Sequence, residues 1–308
     1  MTYSPPTAQA IADAQNLDQN LRLLLAQRRL YSRAKAWTMV RGTGIGIVAV
    51  SAPILAAVWP EAALAVATVA AAWFALNRLL FRSLERHYAT RGATVQEQFD
   101  TAIFGMPTIA VRDPRVLPEE ISRLTGERVR RRRAYSDEKL RDWYPIQTDV
   151  DGSVAIAISQ RANVAYSQTL LARSAGLWLG LLILWAAVAI VIGIVRDFDL
   201  VTFLLVVAIP TLPPLLDAAD EALHVRAAGK ERRALATQIQ DAIDTDTEAP
   251  IGPEQLLAWQ MQLFALRRDS PLVPDWLYWA LRPRTEGEMN DGAKTIADQV
   301  QSRQGEAQ

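Results

Sequence analysis

An arginine-rich run in the middle of the chain has the residue types best suited to binding a charged ligand. Arg128 and four consecutive arginines fall within six residues, and aromatic residues follow them. Guanidinium groups bind phosphate oxygens in pairs, and aromatic rings can stack on a nucleobase. The candidate ligand-binding residues are Arg130, Arg131, Arg132, Arg133, Tyr135, Trp143, Tyr144 and Arg161.

Two other roles compete for the same arginines. A polybasic stretch near a membrane binds anionic lipid, and a charged run is commonly plain solvated surface. On a helix, five arginines would surround the axis, so they could not all face one pocket. Lipid, solvated surface and a phosphorylated ligand therefore stay open, and we expect no nucleic-acid partner.

Residues for catalysis or metal binding are scarce. The chain has no Cys and two His, His87 and His224, which are far apart in sequence. Without Cys, a metal site has few ligands to draw on, and the sequence has no phosphate-binding glycine loop or nucleophile elbow. We predict that the protein is not an enzyme, with no catalytic residues, no metal and no cofactor.

Four uncharged apolar stretches must position the charged residues. They cover 42–60, 62–77, 174–195 and 200–216, although the whole chain has zero net charge and a mean hydropathy of only +0.05. A helix needs about 20 mainly apolar residues to cross a bilayer. Buried helices of a soluble protein are the alternative. We predict an all-α membrane protein with four transmembrane helices in two hairpins.

The distribution of basic residues predicts the direction of these helices. Of the 33 Lys and Arg residues, only Arg196 falls in a hairpin turn. Basic residues concentrate on the cytoplasmic side of membrane proteins. We therefore expect a multi-pass membrane protein with both termini and the central insert in the cytoplasm. The predicted segments are a cytoplasmic amphipathic helix (1–41), a transmembrane hairpin (42–81), a cytoplasmic insert (82–173), a second hairpin (174–216) and a cytoplasmic helical tail (217–308).

Small residues at four-residue spacing indicate close helix packing, either within one protomer or between protomers. They are Gly42, Gly46, Ala63, Ala67, Ala71, Ala75, Gly176 and Gly180. The fourth stretch holds three prolines, each of which removes a backbone donor and strains the preceding turn. A passive kink, a hinge and a pore wall are the possible roles, and the candidate residues are Thr202, Pro210, Thr211, Pro213 and Pro214.

Outside the apolar stretches, the sequence predicts mostly helices. A helix is expected near 118–142, and another begins at Pro253. Val154–Ile158 could form a short strand, but a helix that feeds the third stretch is favoured. Pro271, Pro274 and Pro283 are expected to bracket a short aromatic piece, and the last twenty residues to be frayed.

Five strings in order resemble one known family. They are LLLAQRRLYSRAK (23–35), VQEQFDTAIFGMP (95–107), LRDWYP (140–145), ISQRANVAYSQTL (158–170) and PLVPDWLYWALRPRTEGEMN (271–290). With the two-plus-two layout, they resemble the four-transmembrane pore-forming effectors of bacterial nucleotide-second-messenger immunity, called S-4TM. The likeness runs from about residue 15 to 300. Ser159 stands where the family carries cysteine.

The resemblance implies a homo-oligomeric effector in the lipid bilayer of the bacterial inner membrane that senses a cyclic mono- or oligonucleotide. A partner nucleotide cyclase would make this diffusible messenger during phage infection, and the effector would then permeabilise the membrane and stop growth or kill the cell. Two alternatives remain: a membrane scaffold that recruits a cytosolic partner through its C-terminal tail, and a small-molecule transporter, which the lack of intramembrane charge disfavours.

Overall fold

The computed structural model describes residues 3–59, 61, 63–107, 115–246 and 248–306, and every regular element in these ranges is helical. The prediction of an all-α fold is confirmed for this part of the chain. The α-helices are α1 (Ala8–Gln15), α2 (Asp18–Val58), α3 (Ala63–Leu76), α4 (Arg82–Ile103), α5 (Pro118–Thr125), α6 (Arg128–Asp137), α7 (Gly152–Val195), α8 (Leu200–Phe203), α9 (Ile209–Asp244), α10 (Pro253–Arg268) and α11 (Asp275–Glu306). π-Helical turns at Asn77–Phe81 and Leu204–Ala208 join α3 to α4 and α8 to α9.

Two long helical hairpins form the frame. The helix α2 packs along α4, and α7 packs along α9. Gly44 lets α3 approach α2, because a Cβ atom there would lie only 1.7 Å from Trp73. Phe81 lies against the rings of both Trp37 and Trp73, so aromatic packing fixes the first hairpin where α3 joins α4.

At one end, both hairpins pack into a hydrophobic core that they share with the other helices. It includes Leu24 of α2, Phe99 of α4, Ile156 of α7, Ile239 of α9 and Trp259 of α10, all almost fully buried. The insert and the tail therefore pack into a single helical body. Helix formation here depends on tertiary burial, because one apolar side chain per turn faces this core.

The other ends of the hairpins expose their apolar side chains. Leu64 is 81% exposed on α3, Ile183 61% on α7 and Leu205 61% in the second π-helical turn. Within the described residues one helix, Gly152–Val195, is long and apolar enough to cross a membrane. Its first half is buried in the core, and its second half projects beyond it.

Several expectations for the connections change. The helix expected near 118–142 is two helices, α5 and α6, because Gly126 ends the first with a positive φ of 68°. The expectation of a short aromatic piece and a frayed end is wrong: α11 continues through Pro283 to Glu306. Packing of Ala293, Ile296 and Val300 into the core stabilises its second half. Helices at Val154–Ile158 and from Pro253 are confirmed.

Candidate functional site

The predicted arginine run forms the short helix α6 and lies mostly in solvent. Arg130, Arg132 and Arg133 are exposed, and Arg133 pairs with Asp137 one turn away, at 3.4 Å. Arg131 bends back and donates to the carbonyl of Gly126 at 2.9 Å. The described part of α6 thus presents a basic outer surface.

The aromatic candidates face the interior. Tyr135 is buried and its hydroxyl donates to Asp18, at 3.3 Å. Tyr144 is also buried and donates to Asp100 at 2.7 Å, and Trp143 packs against the core. Arg161 on α7 is half-buried, which lowers its pKa. The structure does not bring these residues and the exposed arginines into one pocket.

A buried polar network surrounds Asp100, which has no exposed surface. Arg267 of α10 donates to Asp100 at 2.5 Å, and Gln260 donates to Asp100 at 3.0 Å and to Glu97 at 2.7 Å. Burial lowers the pKa of Arg267, but the adjacent Asp100 and Tyr144 outweigh it and raise that pKa. Burial and Asp100 also raise the pKa of the Tyr144 hydroxyl. This network ties α4 to α10 and to the segment that precedes α7.

A second polar group, which we call the Glu138 cluster, joins α2, α11 and the end of α6. It consists of Arg28, Arg29, Glu138, Lys139, Tyr278, Trp279 and Arg282. Arg29 donates to the Glu138 carboxylate at 2.6 Å, while Arg28 and Arg282 donate to the Glu138 carbonyl at 2.8 and 3.3 Å. Arg282 also donates to the carbonyl of Lys139 at 3.3 Å. Three guanidinium groups therefore converge on one residue.

Aromatic rings complete the Glu138 cluster. The guanidinium carbons of Arg28 and Arg282 lie 5.6 and 5.1 Å from the centroid of the Trp279 ring. Arg28 also donates to the Tyr278 hydroxyl at 3.3 Å. Cation–π contacts of this kind orient both partners. Trp279 is nevertheless 49% exposed, so the cluster opens to solvent on one side.

The end of α6 explains why the backbone carbonyls at 138 and 139 are available. Lys139 has a φ of 50°, and Leu140 and Lys139 donate to the carbonyls of Tyr135 and Ser136. This is a Schellman motif, in which the left-handed position is usually glycine. The chain therefore turns sharply and presents these carbonyls to α2 and α11.

A third polar group lies where the exposed apolar ends begin, and we call it the neck. Arg41 of α2 pairs with Glu85 of α4 at 3.2 Å and with Glu221 of α9 at 3.4 Å. Asn77, in the first π-helical turn, donates to Asp217 of α9 at 3.4 Å. Polar contacts thus join α2, α4 and α9 at the end of the apolar segments that lies next to the core. Burial and the neighbouring Glu221 raise the pKa of Glu85, although Arg41 opposes this.

The predicted packing glycines have free space beside them in the described protomer. A Cβ atom at Gly42, Gly46, Gly176 or Gly180 would meet no described atom within 4 Å. Ala71 and Ala75 are exposed, and the side chains of Ala63 and Ala67 lie outside the described residues. Close packing within the described protomer is therefore found at Gly44, not at these glycines.

The prolines of the fourth stretch do not end the helix. The π-helical turn at Leu204–Ala208 directly precedes Pro210, whose missing amide cannot donate to the preceding turn. The helix then continues to Asp244. The structure does not describe the side chains of four of the candidate residues, Pro210, Thr211, Pro213 and Pro214. The fifth, Thr202, donates to Asp199 at 2.9 Å as part of a helix N-cap.

Sequence reasoning missed the neck and the Glu138 cluster. One available signal was that three of the five quoted strings contribute to or adjoin the cluster: 23–35 supplies Arg28 and Arg29, 271–290 supplies Trp279, and 140–145 follows Lys139 directly. No periodicity within one helix marks contacts between residues more than 100 positions apart.

Taken together, the fold is an all-α body from which helical hairpins project exposed apolar ends, with buried ion pairs at their base. The sequence of the chain matches a known family. The model of the SMODS-associating 4TM effector domain matches residues 9–296, so the chain belongs to this family. It is 22% identical over 300 residues to a "Probable CBASS effector molecule" of Bacillus cereus (strain VD146), covering 90% of this chain and 95% of that relative. No solved structure matches the chain.

Proposed function

We propose that the protein is a membrane effector of bacterial anti-phage immunity. It crosses the inner membrane four times with both termini in the cytoplasm, assembles into homo-oligomers and permeabilises the membrane when a nucleotide second messenger binds. A partner cyclase supplies that messenger, and the outcome is growth arrest or cell death. Membership of the 4TM effector family supports the role, and the family's relative is described as a CBASS effector.

The observation that carries the membrane assignment is the exposure of apolar side chains at one end of the molecule. Ile47, Leu79, Ile194 and Val201 are each more than 60% exposed, whereas the core at the other end is closed. An exposed apolar surface of this extent needs lipid or a partner to cover it. Lipid fits best, because α2 and α7 each run from the buried core into the apolar region without a break.

These two continuous helices also supply a physical route for activation. With 1.5 Å per residue, α7 is about 66 Å long and reaches from the polar network to the apolar end. A displacement of the half of α7 that is buried in the core must therefore also move its exposed apolar half. A ligand can drive such a change only through different affinities for the closed and open states.

The scaffold alternative needs a tail that is free to recruit a partner. Leu256, Trp259 and Leu263 of α10 and Ile296 of α11 are buried in the shared core. The tail is therefore part of the body, and a recruiting surface would be limited to its outer side. This burial favours the effector proposal.

Leakage from liposomes tests the proposed function. The purified full chain is reconstituted into dye-filled liposomes and mixed with cyclic di-AMP, cyclic di-GMP or cyclic AMP, with the linear dinucleotide pApA as the matched control. We expect leakage with a cyclic nucleotide and not with pApA. Absence of leakage with every cyclic nucleotide, from an intact oligomer, would overturn the proposal.

Cysteine labelling tests the topology, because the chain has no Cys of its own. Single replacements at the exposed positions Glu61 and Arg196 should react with a membrane-impermeant maleimide from the periplasm. Replacements at the exposed positions Gln9 and Asp149 should react only after the inner membrane is opened. Labelling of all four positions from one side would contradict four crossings.

A further inference from the structure

We propose that Arg28, Arg29 and Trp279 form the binding site for a phosphodiester attached to a planar ring, and that Glu138 occupies the phosphate position in the structure described. The inference rests on the proposed function, since the ligand would be the nucleotide messenger. It assigns that messenger to the Glu138 cluster instead of the arginine helix α6.

The charges of the cluster are suited to an anion. Arg29 lies 2.6 Å from one oxygen of the Glu138 carboxylate, and its side chain is 44% exposed. Arg28 lies 3.7 Å from the other oxygen. Two guanidinium groups around one carboxylate match the geometry that binds a phosphodiester, which offers the same paired oxygens with the same charge.

The carboxylate of Glu138 fills this position imperfectly. Its Oε2 atom is buried and accepts no hydrogen bond from the described residues. A buried acceptor without a donor is costly, and it weakens the hold of the cluster on this side chain. A ligand phosphate could displace the Glu138 side chain while Arg28 and Arg282 keep their bonds to the backbone carbonyls at 138 and 139.

Trp279 supplies the surface for the planar ring. The indole is 49% exposed although Arg28 and Arg282 lie against it. A nucleobase can stack on such an exposed aromatic face whatever its sequence identity. Tyr278 lies edge-on to the indole, with an interplanar angle of 80° and 5.3 Å between ring centroids, and limits its rotation. Arg282 is a positioning residue here, because its guanidinium group also contacts Glu286, the backbone and the Tyr278 ring.

The position of the cluster favours a soluble ligand over a lipid headgroup. Arg28 precedes Gly42, where the apolar segment begins, by fourteen residues of one continuous helix, or about 21 Å along its axis. The polar region of one leaflet is only about 5–8 Å thick. Lys35, which lies nearer the membrane, is already paired with Asp275 at 2.6 Å.

Occupation of this site would act on the helix that enters the membrane. Glu138 and Lys139 begin the connection that leads to α7, and Lys139 is held at a φ of 50°. Asn16 and Asp142 hold the same connection through a pair of hydrogen bonds, at 2.8 and 3.1 Å. Displacing the Glu138 carboxylate therefore removes the side-chain bond from Arg29 that ties α2 to the start of this connection, while the backbone bond from Arg28 remains.

Binding measurements on the full chain in phosphatidylcholine nanodiscs test the site, with labelled cyclic di-AMP, cyclic di-GMP and cyclic AMP as probes. Replacing Arg28 and Arg29 together by Gln should weaken binding at least about 10-fold, since each charged hydrogen bond contributes a factor of that order. Trp279→Ala should also weaken binding about 10-fold, and Trp279→Phe should restore part of it. Arg284→Gln, on the same helix but 74% exposed and outside the cluster, is the matched control and should bind normally.

Glu138→Gln keeps the size of the side chain and removes the competing charge. The variant should bind the probe several-fold more tightly, and its liposomes should leak at a lower probe concentration. A purely structural role for Glu138 would leave both quantities unchanged. Thermal unfolding of each variant separates lost binding from lost folding, and Glu138→Gln predicts a gain that misfolding cannot mimic.

The remaining outcomes separate this site from its competitors. Loss of binding in Arg131→Glu/Arg132→Glu but not in the Arg28 and Arg29 variant would assign the messenger to α6 and overturn the proposal. Competition by phosphatidylglycerol in the nanodisc would assign the cluster to lipid and overturn it as well. If wild type binds and leaks but the cluster variants match it, only this site fails. If wild type neither binds nor leaks with any probe, the proposed function fails with it.

Discussion

Arg41 and Glu221 form an ion pair, with 3.4 Å between Nη2 and Oε2, that joins the first apolar helix to the last. Both side chains are about nine-tenths buried, and Arg41 also pairs with Glu85. One guanidinium thus holds two carboxylates from different hairpins. The neck is therefore the point at which a movement of the body can reach both hairpins together.

Removing Arg41 should destabilise the protein strongly. In Arg41→Ala, two buried carboxylates lose their common cation, and breaking a buried pair in this way costs about 3–5 kcal/mol. Chemical unfolding in detergent micelles measures the free energy of unfolding. Arg284→Ala breaks an exposed pair with Glu288 and should cost less than about 1 kcal/mol. Equal losses in the two variants would show that the neck contributes no more than a surface pair.

Glu85 should make stability depend on pH. Burial, with Glu221 adding to it, raises its pKa from 4.5, while Arg41 opposes the shift. A carboxyl group with a raised pKa in the folded state stabilises the fold below pH 4.5, and that contribution is lost as pH rises through the folded pKa. The melting temperature of Glu85→Gln relative to wild type should therefore be higher at pH 8 than at pH 5. A difference that is constant across this range would contradict the prediction; the exposed Glu254→Gln is the control.

The local features of the fold could be predicted from sequence, and the polar contacts between helices could not. Apolar runs and Pro253 predict where helices lie, because period and capping are local properties. Arg28 and Glu138 are 110 positions apart, and Arg267 and Asp100 are 167 apart. No helical period or capping pattern marks such pairs in a single sequence. For the same reason the sequence predicts a ligand for Tyr144, whose hydroxyl in the fold donates to the buried Asp100 carboxylate.

Asp100 should be required for the folding of the cytoplasmic body. Asp100→Ala leaves the Arg267 guanidinium, which is 8% exposed, without its 2.5 Å partner, so we expect a loss of about 3–5 kcal/mol. Asp269→Ala removes an exposed pair with Arg268 and should cost less than about 1 kcal/mol. Chemical unfolding followed by tryptophan fluorescence compares them. A small loss in Asp100→Ala would mean that Glu97, 4.0 Å from Arg267, replaces Asp100 as its carboxylate partner.

Lys139→Gly should stabilise the protein. Lys139 has a φ of 50°, which glycine adopts without the steric cost of a Cβ atom, so a gain of about 1 kcal/mol is expected. The control is Lys294→Gly, within α11, which should cost about 1 kcal/mol because glycine weakens a helix interior. Melting temperatures in detergent give both signs. A loss in Lys139→Gly would indicate that the lysine side chain itself contributes to the Glu138 cluster.

Gly44 should support packing within one protomer, whereas Gly176 and Gly180 should support contact between protomers. A Cβ atom at Gly44 would lie 1.7 Å from Trp73, so Gly44→Ala should displace the indole, shift its fluorescence and lower the melting temperature. At Gly176 and Gly180 the same atom meets nothing described within 4 Å, and these glycines are exposed on the apolar part of α7. Small residues at this spacing let helices of separate protomers approach closely. Gly176→Leu/Gly180→Leu should therefore leave the protomer folded and reduce the oligomer mass measured by light scattering in detergent. An unchanged mass would place this face against lipid, and a lower melting temperature without dissociation would place it inside the protomer.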